Sequence, residues 1–274
     1  MTRTIRSTTE NSHFLQLQAL KSNRTKRHRH GLFLVEGVRP IEQALTHGWQ
    51  VQSFIFEIGA RLSTWAQELL KNSAAETHFE LSARLMQMLS DKEETSEVLA
   101  VFKIPNISIN DVELLQASIT VVFDRPGSPG NLGSSLRTCD AFGVSTVILT
   151  GHCVDPYDPV VVRSSRGSLF TLPVLTLPSH KELEPWLAHA RKDIEDLQIV
   201  GASEDANLPI FRHDFMRTTV IVMGNETSGL SDAYKALCDV QVAIPMTGSA
   251  SSLNVSCATT VFLYEVMRQR TNPG

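Results

Sequence analysis

The stretch Val242-Ala-Ile-Pro-Met-Thr-Gly-Ser-Ala-Ser-Ser-Leu-Asn-Val-Ser-Cys-Ala-Thr-Thr-Val-Phe-Leu-Tyr-Glu-Val266 reads as strand, loop and helix in succession. Residues 242–244 are apolar, and Pro245 ends the ladder because proline has no N–H to give. Small residues follow, and Ser251 and Ser252 stand before an apolar run, which predicts a helix N-cap at one of them. Such a joint turns backbone amides toward whatever occupies the loop, a common way to hold a small polar or anionic ligand. Leu253, Val255, Ala258, Val261, Phe262, Leu263 and Val266 then cover most of the helix circumference. That predicts burial on more than one side, against its own sheet and against a partner subunit.

Upstream of this stretch, residues 119–123, 146–150, 174–177, 198–201, 220–223 and 240–244 form short apolar, β-branched runs. They alternate with helical patterns at 131–142, 159–165, 181–191 and 230–237. The alternation predicts an α/β domain: a mostly parallel sheet with helices on both faces.

The first part of the chain is built differently. A polar helix is expected over 12–21, followed by Lys21, Arg24, Lys26, Arg27, His28, Arg29 and His30, the densest positive cluster in the sequence. Such a run is either a solvated face or a phosphate contact. A strand at 32–35, a helix at 38–47 and a strand at 51–56 read as a strand–helix–strand unit, which predicts a parallel pair with a crossover helix. Helices at 64–72 and 82–89 and strands at 79–81 and 98–102 complete a small α/β domain, with 91–97 as a surface loop. Pro105 and a short acidic turn mark a linker. The expected domains are 1–105 and 118–274, joined by 106–117.

With 274 residues and 42% hydrophobic composition the chain has room for two cores. A net charge of −4 and a pI near 6.1 argue against a wholly basic nucleic-acid binder, so any nucleic-acid binding must rest on a local patch. Cys139, Cys153, Cys238 and Cys257 lie far apart with no C-x-x-C pair, which fits neither a zinc site nor a disulfide framework. Reduced cysteines, no metal and a cytoplasmic location are the expectation. The N-terminal residues lack the apolar core of a signal peptide, and no run reaches the roughly 18 to 20 apolar residues of a membrane span.

Three loops at the carboxyl ends of strands carry the candidate chemistry, since open α/β sheets bind ligands there. The first, residues 124–137, has Gly127, Gly130 and Gly133 but not the G-x-G-x-x-G spacing of a dinucleotide fold. No acidic residue is placed to hold a ribose after a second strand. A nicotinamide-dependent oxidoreductase is therefore disfavoured. In the second loop, residues 223–230, Gly224 permits close approach of a ligand to the backbone, and Glu226 puts a carboxylate at the mouth. An acid there could equally cap a helix. The third loop is the opening stretch.

Asn131-Leu-Gly-Ser-Ser-Leu-Arg137, Gly224-Asn-Glu226 and Ile244-Pro-Met-Thr-Gly-Ser-Ala-Ser-Ser-Leu-Asn-Val-Ser256 match, in order and separation, the three motifs of a known family. Over residues 118–268 the chain resembles the SpoU (TrmH) family of RNA 2′-O-ribose methyltransferases, within the SPOUT class. Phe33-Leu-Val-Glu-Gly37, with the strand at 98–102, looks like the small substrate-binding domain of many members. The resemblance implies S-adenosylmethionine as methyl donor, bound in a bent form among the three loops. It also implies a deep trefoil knot, which no periodicity could reveal because knots are almost absent from proteins, and a homodimer whose sites draw on both subunits.

By carry-over, Gly224, Ile244 and Leu253 line the donor site, with Met246 and Ser252 nearby. Arg137 takes the critical role, oriented by Asn131, Glu226, Ser251 and Asn254. A guanidinium keeps its proton at physiological pH. The reading adopted for Arg137 is that it positions a neighbouring phosphate and stabilises the developing alkoxide of an in-line methyl transfer. Arg24, Lys26, Arg27 and Arg29 are the expected RNA contacts. Arg163 matches a family segment and serves either RNA or an ion pair. The extra N-terminal domain favours ribosomal RNA over tRNA as substrate; a noncatalytic RNA-binding protein with the same fold is the remaining alternative.

Overall fold

The computed structural model describes residues 3–72 and 74–271. The outermost positions of the two expected domains, 1–2 and 272–274, lie outside the described residues. The chain begins β1 (Arg3–Ser7), α1 (Ser12–Ser22), α2 (Arg24–His30), β2 (Leu32–Glu36), α3 (Val38–Thr46), β3 (Val51–Glu57), α4 (Thr64–Asn72), β4 (Thr77–Leu81), α5 (Ala83–Leu89) and β5 (Val98–Lys103). It continues with β6 (Ile119–Asp124), α6 (Pro129–Ala141), β7 (Thr146–Thr150), α7 (Pro159–Ser165), β8 (Val174–Leu177) and α8 (His180–Asp193). Last come β9 (Gln198–Ala202), β10 (Leu208–Pro209), β11 (Thr219–Met223), α9 (Asp232–Leu237), β12 (Val240–Ala243) and α10 (Val255–Thr271).

Contacts group these elements into two units, Met1–Asn106 with Tyr157–Thr171, and Ile107–Pro156 with Leu172–Gly274. The first unit holds a sheet in the order β1-β4-β3-β5-β2. Here the structure corrects the expected β2–β3 pair: β5 lies between them, antiparallel to both. The cause is composition. Val98-Leu-Ala-Val-Phe102 is apolar without alternation and buried throughout, so it occupies a position covered on both faces. The polar Arg3–Ser7 forms an unexpected strand parallel to β4, its residues mostly exposed.

On one face Phe14, Leu17 and Leu20 of α1 and Leu85, Met86 and Leu89 of α5 pack on Leu34, Ile55, Leu81, Leu99 and Val101. An aromatic cluster joins Phe33 and Trp49 to the α7 segment. Phe33 lies 4.9 Å from the Tyr157 ring, and the Trp49 indole N–H donates to the Phe170 carbonyl at 3.0 Å. These contacts are why residues 157–171, which sequence order puts in the second domain, fold with the first unit.

The basic run after α1 is a helix rather than a loose segment. Asn23 caps α2, and Gly31, left-handed at φ 63°, closes it. One of its arginines turns inward: Arg27 is only 2% exposed, donating to the carbonyls of Leu20 and Lys21 and to Asp158. Its donors are spent on holding α1 and α7 in place. Arg27 is therefore withdrawn from the expected RNA contacts.

The second unit contains a sheet in the order β10-β12-β9-β11-β6-β7-β8, every pair parallel. Within the expected linker 106–117, Ile109, Val112 and Leu114 pack on this unit's core. A capping box between Ser108 and Asp111 forms a short turn, and Val112 takes a 2.9 Å hydrogen bond from the Trp186 indole. α10 packs along α6. No helix among the described residues is long and apolar enough to cross a membrane.

Candidate active site

The loops after β11 and β12 line one cleft, and the loop after β6 meets them through Glu226. β6 ends at Asp124, after which Ser128 caps α6 by accepting from the Asn131 amide, with Pro129 as its first residue. The first turn of α6 thereby holds Asn131. β11 is a buried run, Thr219–Met223, followed by Gly224. A Cβ on Gly224 would come within 2.4 Å of the Gly229 backbone. Its need for glycine is thus set by its own loop, where Asn225 and Gly229 exchange backbone bonds of 3.0 Å.

The turn so formed projects Glu226 toward α6. Its carboxylate accepts from the amides of Gly127 (3.0 Å) and Ser128 (3.2 Å) and from the Asn131 side chain (3.3 Å). Asn131 in turn accepts from the Asn254 side-chain amide at 2.9 Å. Burial works against ionisation of Glu226, yet these amide donors outweigh it and hold the carboxyl below the usual glutamate range. The acid read as either catalytic or capping braces the start of α6 while standing at the cleft mouth.

α10 begins at Val255, later than expected. Its cap is Asn254, which accepts from the amide and hydroxyl of Ser256, whereas Ser251 and Ser252 are exposed in the preceding loop. Between Ile244 and Leu253 no backbone group bonds to another backbone group among the described residues. Of this stretch, Ile244, Met246, Ser252 and Leu253 line one side of the cleft. Val242, Leu230, Val255 and Phe262 provide an apolar floor.

The cavity measures about 250 Å³. Gly224, Ile244, Met246, Ser252 and Leu253, the residues expected at a donor site, all line it, together with Glu226. A third wall, Ala202 to Asp205 after β9, was not among the expected loops, whereas the loop 124–137 contributes no wall. The wall after β9 obeys the same rule, being the carboxyl end of a parallel strand, and could have been found by applying that rule to every strand. Arg137 stands apart. It is exposed on α6 and makes no hydrogen bond with Asn131, Glu226 or Asn254 among the described residues. Six positions separate it from Asn131, which turns it about 120° around the helix. Ser251 likewise joins neither the network nor the cavity wall.

The expected RNA contacts lie in the first unit. Arg24, Lys26 and Arg29 are exposed on α2; Arg163, half exposed on α7, has its guanidinium 3.9 Å from Asp91.

A parallel sheet with its ligand cleft at the strand carboxyl ends, and a carboxylate–amide network at the mouth, belongs to the α/β enzymes that bind a small cofactor between loops. Comparison with known proteins narrows this class. A family model described as "SpoU rRNA Methylase family" matches residues 118–264, and one described as "SpoU L30e-like domain" matches residues 11–100. A 23S rRNA (uridine(2479)-2′-O)-methyltransferase of Streptomyces viridochromogenes is 44% identical over 265 residues, covering 97% of this chain and 92% of that protein. The crystal structure of the SpoU methyltransferase AviRb from the same organism, in complex with the cofactor AdoMet, superposes with a TM-score of 0.91 at 44% identity, over 96% of this chain and 99% of that one. A 23S rRNA (guanosine-2′-O-)-methyltransferase RlmB of Pseudomonas syringae pv. tomato is 34% identical over 58% of this chain and 63% of its own length. The chain belongs to the SpoU rRNA methylase family.

Proposed function

We propose that this chain transfers a methyl group from S-adenosylmethionine to a ribose 2′-hydroxyl of ribosomal RNA, and that the target is a uridine of 23S rRNA. The observation that carries the reaction is the cleft itself, with Ile244, Met246, Ser252 and Leu253 along one wall, an apolar floor, and the Glu226–Asn131–Asn254 chain at its mouth. The choice of RNA follows the relative named for a 23S uridine, which is similar along nearly the whole chain.

The wall fits the donor. The peptide groups of Ile244, Met246, Ser252 and Leu253 suit the edges of a purine and a ribose. Leu230, Val242 and Phe262 shed water from the site. When bound, S-adenosylmethionine supplies a methyl group on a cationic sulfur. The protein has to align that methyl with an oxygen and ease the oxygen's loss of a proton. Asn131 is held at both ends, by Glu226 and by Asn254, so its position at the mouth is fixed before RNA arrives. Arg137, exposed on α6, is assigned to a neighbouring phosphate and the developing alkoxide.

A second copy of the chain completes the site in this reading. Two features support a homodimer: Arg137 is exposed and engages no partner among the described residues, and α10 presents Cys257, Thr260, Tyr264 and Met267 as an exposed stripe, Tyr264 at 53% and Met267 at 41%. Arg137 of one copy would then serve the network of the other. The knot belongs to the same proposal, the residues from 244 to 254 being drawn through the loop after β11. Arg24, Lys26, Arg29 and Arg163 recruit RNA through its phosphates.

Mass mapping of ribose methyls in 23S rRNA incubated with the protein and S-adenosylmethionine tests the activity, with bulk tRNA alongside. Methylation of tRNA alone would move the target, and no ribose methylation of either RNA would sink the proposal. Arg137→Lys keeps a charge but loses the planar fork. It should cut turnover by at least about tenfold with donor binding unchanged, and near-normal turnover would count against the role given to Arg137.

A further inference from the structure

Asp124 and Arg125, just beyond the end of β6's apolar run, have no part in the reaction as described, yet their geometry is unusual. Arg125 has φ 53°, a left-handed backbone in a non-glycine residue. Its amide donates to the Thr150 carbonyl at 3.0 Å. Its side chain closes back on its neighbour: Nε lies 2.8 Å and Nη2 3.1 Å from the two oxygens of Asp124, a carboxylate only 2% exposed that also accepts from the Ser231 amide at 2.9 Å. With backbone and side chain both tied, the Arg125 carbonyl is aimed at Asn225, whose side-chain amide donates to it at 2.7 Å. The other end of that side chain accepts from the amides of Thr227 (2.9 Å) and Ser228 (3.2 Å). Asn225 is therefore the template of the turn 225–229, and that turn is a wall of the cleft.

We propose that Asp124 and Arg125 are positioning residues for the donor cleft: the left-handed backbone at Arg125, locked by the buried carboxylate, orients Asn225 and so sets the shape of the 225–230 wall. Strained backbone persists only where its surroundings over-determine it, and here the surroundings are an ion pair and three hydrogen bonds, of which the one from Asn225 leads to the cleft. Gly151 fits the same arrangement, since a Cβ there would lie 2.8 Å from the Arg125 side chain. The inference rests on the donor site proposed above.

The test compares two replacements. Arg125→Gly removes the guanidinium but accepts a left-handed backbone without cost, whereas Arg125→Val removes it and penalises that backbone. Calorimetry with S-adenosylhomocysteine should show Arg125→Val binding roughly tenfold more weakly than Arg125→Gly. In the ligand-free proteins, amide hydrogen exchange across residues 225–230 should be faster in the valine variant than in the glycine variant, while exchange in β7 and β8 stays that of the parent. Equal affinity and equal exchange in the two variants would overturn the proposal, because the backbone would then be irrelevant to the wall. Failure of the parent protein to bind S-adenosylhomocysteine would sink the donor-site reading instead, and the exchange contrast would still decide this one. If Arg125→Val fails to fold, Asp124→Asn in the parent background replaces it, with faster exchange over the same residues expected and unchanged exchange overturning the idea.

Discussion

At position 226 a carboxylate accepts from two backbone amides and one side-chain amide. Glutamine has nearly the same shape but one end that donates, so in Glu226→Gln an NH₂ must face one of those N–H groups. Turnover should fall by roughly tenfold or more, the consequence of a mispaired polar contact at the mouth. The pH dependence has a definite sign. Because the folded-state pKa of Glu226 is held below the ordinary value of 4.5, its contribution to stability is fully present above that value and is lost as pH falls through the lower, folded-state one. Melting temperatures of parent and variant should therefore differ most near neutral pH and converge in strong acid; a gap that widens in acid would contradict the assignment. Gly224→Ala is expected to be worse for donor binding than any other alanine substitution in the loop, since its Cβ meets backbone rather than a movable side chain. Isothermal titration of each variant checks this. Asn131, Glu226 and Asn254 were legible from motif text, and the structure joins them. The remoteness of Arg137 was not legible, because a position six residues along a helix states its angle about the axis but not what faces it.

Among the elements, α10 shows what pattern alone could and could not decide. Its apolar run was plain, but small polar residues from Thr247 to Asn254 offer several serines as caps, and only the geometry selects Asn254. Asn254→Ala should cost about 1 kcal/mol of stability through the lost cap. Asn254→Ser keeps a capping oxygen while giving up the bond to Asn131. A urea titration should show the serine variant near the parent, while its methyl-transfer rate falls with that of alanine. On α2 the sequence showed a cluster of charge but not its division, which follows from helical spacing: Arg27 turns to the interior while Arg24, Lys26 and Arg29 stay outside. Reversing those three charges together should weaken RNA binding and lower its dependence on salt by about three phosphate contacts, with S-adenosylhomocysteine affinity unchanged. An unaltered salt slope would remove α2 from the RNA surface. The β2–β5–β3 order was hidden for a different reason: the unbroken apolar run of β5 marks a strand covered on both faces but does not state which strands flank it.

For the whole molecule, the division of the chain limits how it can be cut. Removal of residues 1–105 looks from sequence like the loss of one domain, but it would leave Tyr157 and Phe170 without Phe33 and Trp49. Such a fragment should bind more of a hydrophobic dye and aggregate on heating at lower temperature than the full chain, checked by dye fluorescence and light scattering. Behaviour as clean as that of the parent would show the α7 segment to be indifferent to its partners. The same division has a meaning in time. A ribosome synthesising this protein releases Asn106 well before Tyr157–Thr171 exists, and the 50 residues of Ile107–Pro156 between them take several seconds at the usual rate of elongation. Through that interval the nascent chain carries an aromatic socket with nothing in it, open to chaperones and to other nascent chains. The first unit cannot close until part of the second has been made, so in this protein the order of synthesis is not the order of folding.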